Sequence, residues 1–467
     1  MRQARVATCL AAVLASALLP PTAAFAAPRE RVLHDFSGGA DGGLPSLSTP
    51  VPGPGGVFYG TTDSGGAAGG GVVFQLAPPG AGGGAWSETV LWSFGCGATD
   101  GCDPNGTLLR DSTGALYGAT YTGGAFGAGT VYKLTPPAGG SGPWTSKILF
   151  AFSGGTDGGY PIGGLVRDGV GNLYGTTVGG GVAGNQGGAG GNGVVFRLSP
   201  PEGGGTAWTE TVLYAFKGTG AGGDDGSLPS AGVTLGKGGV LYGTTEAGGL
   251  LGITAGCPWT DGCGTAFKLT QAKGGKTWTE SLLFEFGATP QSGASPGSAL
   301  IVSATGALYG STAFGGADSS GFINRGVIFG LAPPASASGP WTETILKTMT
   351  QSPDFLGEPV GDLTADSAGA LYGAALVFGP PGQGGILTNG GGIFKLTPPA
   401  TVGGAWGYTA LHTFTGDSGD FCRTGCNPYS GVHVGKNGVI TGTTIAGGTH
   451  PMPPTNDGPG VVFQLVP

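Results

Sequence analysis

The sequence predicts an all-β chain, a seven-bladed β-propeller of four-stranded blades, on three observations. A compound motif recurs along the chain: an apolar run around Tyr-Gly-Thr-Thr, a glycine-rich stretch, an apolar run ending Phe-x-Leu, a Pro-Pro turn, then Trp and a Val-Leu-x-x-Phe run. Each copy has room for four short strands, and no apolar-periodic helix of useful length follows residue 27. The first and last copies are incomplete in complementary ways.

The motif falls into three registers that agree. The first centres on Tyr59, Tyr117, Tyr174, Tyr242, Tyr309, Tyr372 and Thr441, and successive positions lie 57 to 69 residues apart. The second centres on Phe74, Tyr132, Phe196, Phe267, Phe329, Phe394 and Phe463, and the third on Leu91, Leu149, Leu213, Leu283, Leu346 and Leu411, with a further copy at Leu33. Self-similarity of this kind marks a solenoid or propeller. Gly 105 and Pro 35 together make 140 of 467 residues, a share that without a period reads as low complexity. Here the glycines stand between the apolar runs, where turns need positive φ and sheets must approach closely.

Residues 163–216 show the unit best. Its strands are GLVRD (a), NLYGTT (b), GVVFRL (c) and TETVLYAF (d), each bounded by turn signals. A tight turn joins a to b at Asp168–Gly171, echoed at Asp111–Gly114 and Asp366–Gly369, so these aspartates are read as turn residues. The six tryptophans that open strand d, from Trp86 to Trp406, follow the repeat and are read as packing. At the ends, Arg31–Phe36 is a d strand lacking a, b and c, and Val461–Leu465 is a c strand lacking d. Pairing residues 32–36 with 461–465 completes a seventh blade and leaves no unpaired inner edge. An open solenoid or two sandwiches would leave those matched ends unexplained.

Residues 1–26 read as a secretory signal peptide: Arg2 and Arg5 precede the apolar run Val6–Leu19, and Ala24-Phe25-Ala26 is a small-x-small cleavage site. Residues 27–467 are then one propeller domain, expected to be secreted or periplasmic, without a membrane span or anchor, and monomeric. Loss of Arg2 and Arg5 moves the formal charge from −8 to −10. An acidic, sparsely charged surface argues against nucleic acid, which needs a basic stripe, and against anionic membranes. A neutral polymer, a metal ion or a protein partner is left.

Cysteine usage agrees with export. Cys9 departs with the signal peptide, and six others fall into close pairs, Cys96 with Cys102, Cys257 with Cys263 and Cys422 with Cys426. An even count in an exported chain reads as disulfides, each closing a small loop and adding ~2 to 2.5 kcal/mol in the loop-entropy model. Zinc is the competing reading, but it needs about four converging ligands. Propeller topology places d-to-a and b-to-c links on one face, and all three pairs fall in such links.

That face carries the candidate ligand contacts. A recurring Asp-Gly-x-x-Pro spans Asp41 to Pro45, Asp100 to Pro104, Asp157 to Pro161 and Asp225 to Pro229. The pattern suits a tight turn, and it also suits a ring of carboxylates for sugar hydroxyls or a cation. No cofactor is expected; Ca2+ is the cation such a ring would suit, but it needs six or more converging oxygens. Trp259 lies inside the Cys257–Cys263 loop, where a ring could stack on a sugar; Tyr160, Phe421 and Tyr429 are further aromatic candidates. Catalytic motifs fail on inspection. Gly293–Gly297 fits G-x-S-x-G, but Pro296 has no N–H for an oxyanion hole, and the phosphate-loop ending Gly275-Lys276-Thr277 has Thr270 in place of its leading glycine.

The strings LYGTT-x-x-GG, GVVFRLSPP and WTETVLYAF resemble the tandem repeats of the GloVer family, exported bacterial proteins with varied C-terminal anchors, over residues 31–467. The resemblance implies export and a repeat architecture, with no established activity to carry over. The expected function is a binding or scaffold module for extracellular polysaccharide or a protein partner. The alternative is a carbohydrate-active enzyme, a polysaccharide lyase or glycoside hydrolase, using carboxylates such as Asp157 and Asp225 at the channel mouth.

Overall fold

The structure is a computed structural model that describes residues 28–181, 191–203, 205–218, 225–249, 257, 262–275, 277–316, 325–336, 339–349, 357–376, 390–401, 403–414, 422–450 and 458–467. The expected signal peptide, 1–26, lies outside them. Seven four-stranded antiparallel sheets form a ring of blades, with strands a to d running outward from the axis. Blade 1 is Val51–Pro52, Phe58–Thr62, Val72–Ala77 and Ser87–Ser93. Blades 2 to 6 follow in chain order over 101–151, 166–215, 234–285, 301–348 and 359–413, and blade 7 takes His433–Val434, Ile440–Thr444 and Val461–Val466 from one end of the chain and Arg29–Asp35 from the other. Arg29 stands opposite Val466 and Asp35 opposite Val461, so the terminal strands close the ring as the incomplete repeats predict.

The repeated residues have separate jobs. The glycine of each Tyr-Gly-Thr lies under the strand c aromatic: a Cβ on Gly60 would sit 2.5 Å from Phe74, and one on Gly175 2.7 Å from Phe196. Only glycine lets the ring cross the neighbouring strand there. The same ring then meets, edge to face, the aromatic that ends strand d of the preceding blade. Phe36–Phe74, Phe94–Tyr132, Phe152–Phe196, Phe216–Phe267, Phe286–Phe329 and Phe414–Phe463 have centroids 4.9 to 5.3 Å apart. Met349 fills the remaining place beside Phe394, in the same core cluster. These strand d residues are at most 1% exposed, so the core is a belt of inter-blade contacts.

The leucine of the third register is a bulge residue. Val90 pairs with Phe74 and Trp92 with Val73, leaving Leu91 unpaired, and the c–d ladders of the other blades shift at the equivalent place. A bulge of this kind bends and twists the outer strand. On strand b four of the tyrosines meet the tryptophan that opens strand d of the next blade, Tyr59–Trp144, Tyr174–Trp278, Tyr242–Trp341 and Tyr309–Trp406, with centroids 5.7 to 6.5 Å apart. Asp111, Asp168 and Asp366 each accept two backbone N–H groups of the a-to-b turn and the hydroxyl of the strand b tyrosine. Burial opposes their charge, but these hydrogen bonds outweigh it and hold all three carboxyls below the usual range.

Links d-to-a and b-to-c pair with each other, as in Gly43 with Ser64, Gly159 with Gly179, Ser227 with Ala247 and Cys426 with Ala446. Both kinds of link therefore share one face. At the axis the strand a backbones touch: a Cβ on Gly163 would lie 2.3 Å from the Gly232 nitrogen, and one on Gly361 2.5 Å from the Gly431 nitrogen. Glycine here lets the chain plug its own channel.

Candidate functional site

The mouth of the ring, on the face that carries the paired links, is built from one strained dipeptide in each blade but blade 6. Leu44, Asp103, Tyr160, Leu228, Ser295 and Asn427 all lie in the left-handed region, at φ 55 to 62°, and each precedes a proline. Side chains with a Cβ avoid that region, and residues before proline avoid helical conformations too, so each costs on the order of 1–3 kcal/mol. Hydrogen bonds hold the conformation. The N–H groups of Leu44, Tyr160 and Ser295 donate to Pro459, Ala128 and Cys263 of the preceding blade, each at 2.7 Å. Their carbonyls accept from Asp63, Val178 and Ala313 of their own blade at 3.0 to 3.3 Å. The backbone fixes the geometry, which leaves the side-chain identity free to vary.

Inside this ring lies a cavity of about 310 Å³. It is lined by Ser230 and Glu246 of blade 4, Ser295 and Phe314 of blade 5, Glu358 and Leu376 of blade 6, and Tyr429 of blade 7, with Leu47 and Ile162 toward the axis. Below it only about 30 Å³ remains among Gly106, Gly163, Gly164, Gly232, Gly297 and Gly431, so the cavity is a blind bowl. Burial pushes the Glu246 carboxyl up, partly offset by the Ser230 hydroxyl donating to it at 2.5 Å. Burial likewise raises Glu358, offset in part by Arg325 at 3.3 Å. The Tyr429 phenol is raised by burial and then by the negative charges of both Glu246 and Glu358, which places it in the field of the two carboxyls. In blade 1 the equivalent pair is Ser46 donating to Asp63, whose carboxyl burial lifts to about 7.

The residues singled out in the sequence fall into three groups. Tyr160 and Tyr429 stand at the mouth; Tyr160 packs on Tyr121 with centroids 5.3 Å apart, and Tyr429 is 36% exposed. Asp41, Asp100, Asp157 and Asp225 lie between neighbouring blades and hold their own links. Asp41 accepts from Ser37 N–H and Asp157 from Ser153 N–H, each at 2.8 Å; Asp100 accepts from Gly95 and Gly101 N–H at 2.9 Å; Asp225 accepts from the Tyr214 hydroxyl and Lys217 N–H. Trp259 and Phe421 lie outside the described residues. Disulfides join Cys96 to Cys102 and Cys257 to Cys263, with Cα atoms 4.4 and 5.1 Å apart, while Cys422 and Cys426 are buried in the core cluster of blade 7.

Glu246, Glu358, Asp63 and Ser230 were not singled out from the sequence. For Asp63 and Glu246 a signal was present: the residue after Tyr-Gly-Thr-Thr and its counterparts reads Asp63, Tyr121, Val178, Glu246, Ala313, Leu376 and Ile445, a position that breaks a strict repeat. Among the described residues no three His, Cys, Asp or Glu side chains converge as a metal cluster, and no helix is long and apolar enough to cross a membrane.

The model of the Gloeobacter/Verrucomicrobia repeat matches residues 23–257 and 183–463. No curated protein matches the chain. Among solved structures, an ulvan lyase of a new polysaccharide lyase family is 11% identical with a TM-score of 0.47, over 93% of this chain and 95% of that one. A putative oxidoreductase (glucose dehydrogenase) from Thermus thermophilus is 18% identical with a TM-score of 0.38, over 77% and 95%. A gluconolactonase from Xanthomonas campestris is 13% identical with a TM-score of 0.38, over 74% and 86%.

Proposed function

The chain belongs to the Gloeobacter/Verrucomicrobia repeat family, and from that premise we propose that it is an exported propeller serving as a binding module, with its ligand held at the mouth of the ring. The ligand class we favour is extracellular polysaccharide, with a protein partner as the other occupant of the same face. One observation carries the reading: the structural positions repeat from blade to blade, whereas the side chains around the mouth do not. A packing role would repeat with the blades; a recognition role would not. Hydroxyl, carboxyl and aromatic groups around a blind bowl suit sugar hydroxyls and ring faces, and a bowl whose carboxyls outnumber Arg325 disfavours polyanions.

The test is retention of the purified protein on immobilised neutral and acidic polysaccharides, with and without calcium. Selective retention on a neutral polymer is expected, and Tyr429→Ala is expected to weaken it at least five-fold with an unchanged melting temperature. Retention that ignores Tyr429→Ala would move the ligand away from the mouth. A second reading, a carbohydrate-active enzyme, rests on Glu246 and Glu358 facing one cavity with both carboxyls raised by burial. Release of oligosaccharides that Glu246→Gln abolishes would establish that reading instead.

A further inference from the structure

On the opposite face, between blades 5 and 6, lies a second cavity of about 380 Å³, lined by Tyr309, Gly330, Thr344, Leu346 and Trp406. The sister blades show what normally fills this place. The residue paired with the strand b tyrosine across the ladder is Lys133 in blade 2 and Lys395 in blade 6. Their ammonium groups lie 5.3 and 5.2 Å from the ring centroids of Tyr117 and Tyr372, leaving those tyrosines 3% and 7% exposed. In blade 5 the paired residue is Gly330, so no side chain stands over Tyr309 from strand c; the ring is half-buried, as is Tyr242 of blade 4, which is paired with Lys268.

A second substitution accompanies the first. Asp111 and Asp366 accept the hydroxyls of Tyr117 and Tyr372 at 3.1 and 3.0 Å. Ser303 takes their place in the same turn of blade 5, with its N–H donating to Ala307 and its carbonyl accepting from Gly306, and its hydroxyl is shared with Thr305. Blade 5 has therefore lost both halves of the charged pair, cation and carboxylate together. Blades 1, 4 and 7 lack the aspartate too, but they keep Gln75, Lys268 and Gln464 at the lid position. What remains in blade 5 is an uncharged slot with an open tyrosine face, Trp406 edge-on to it at 5.7 Å, and the Thr344 and Tyr309 hydroxyls at hand.

We infer that this slot is a second ligand site and that it takes an uncharged sugar ring, whose C–H face stacks on Tyr309 and whose hydroxyls meet the hydroxyls beside it. Loss of both charges removes the reason for a cation to prefer the slot, while the apolar ring with polar edges suits a pyranose. This inference does not depend on the mouth being a ligand site.

The test is saturation-transfer NMR and affinity electrophoresis of the purified protein with cellohexaose and maltohexaose, with hexylamine as the cationic control. At least one hexasaccharide is expected to bind. Gly330→Lys should reduce that binding at least ten-fold by supplying the lid of the sister blades, and Val170→Ala, in an exposed turn of blade 3 away from both cavities, should leave it unchanged. Gly330→Gln repeats the test without a charge, as in blades 1 and 7, should the lysine variant fold poorly. Binding of neither hexasaccharide, binding that both lid variants retain, or competition by hexylamine would overturn the proposal. Loss on Tyr429→Ala alone would assign the binding to the mouth and overturn the slot.

Discussion

Asp63 shows how one buried side chain ties the mouth to solution conditions. Burial lifts its carboxyl to about 7, so the folded state binds a proton that the unfolded chain releases above the ordinary aspartate range. The contribution is fully present below about pH 4 and is lost as pH rises through about 7. Asp63→Asn should therefore match the wild type in denaturant melts at pH 4 and exceed it at pH 8 by ~1 to 3 kcal/mol. An equal difference at both pH values would mean that the carboxyl ionises normally. The sequence marked Asp63 only as a position where the copies vary, and neighbours in sequence do not reveal burial. The aspartates of Asp-Gly-x-x-Pro illustrate the converse. They recur, so they were legible, but recurrence alone cannot separate a carboxylate that holds its own link from one that meets a ligand.

The element that matters most to the mouth is the residue before each proline. Its left-handed backbone is held by one hydrogen bond to the preceding blade and one within its own, as at Leu228, whose N–H donates to Asn192 at 3.1 Å and whose carbonyl accepts from Glu246 N–H at 3.0 Å. Leu228→Gly should relieve strain of about 1 kcal/mol and leave the melting temperature level or higher, where leucine-to-glycine exchanges ordinarily destabilise. A fall of several degrees would show that the side chain, and not the turn, carries the local stability. Strands b, c and d were legible in the sequence because alternation, bulge and aromatic positions recur in every copy. Strand a was only partly legible. In blade 3 it shrinks to Val166–Arg167 because the glycines around it serve close approach at the axis, which has no periodic signature.

At the scale of the whole molecule, stability rests on closure. Phe36 packs on Phe74 across the last seam, and Arg29–Asp35 covers the edge that Val461–Val466 would otherwise present. Deleting residues 28–36 should open the ring, expose that edge and yield aggregation in place of a single cooperative unfolding step. Adding a peptide of residues 29–36 in trans should restore a monomeric, cooperatively unfolding species. A truncated chain that melts like the intact one would mean that the closing strand contributes little.

By itself the sequence determined the all-β class, the seven blades, the pairing of the two ends and the face that carries the links. Each of these follows from local periodicity, which a linear chain records directly. Only the tertiary structure decided that the axis is plugged by its own glycines, that Glu246, Glu358 and Tyr429 from three blades face one bowl, and that Gly330 leaves Tyr309 open. Those facts depend on which copies of the repeat stand beside one another in space, and on single positions where one copy departs from the rest. Periodicity reveals what the copies share; a site arises where they differ and converge.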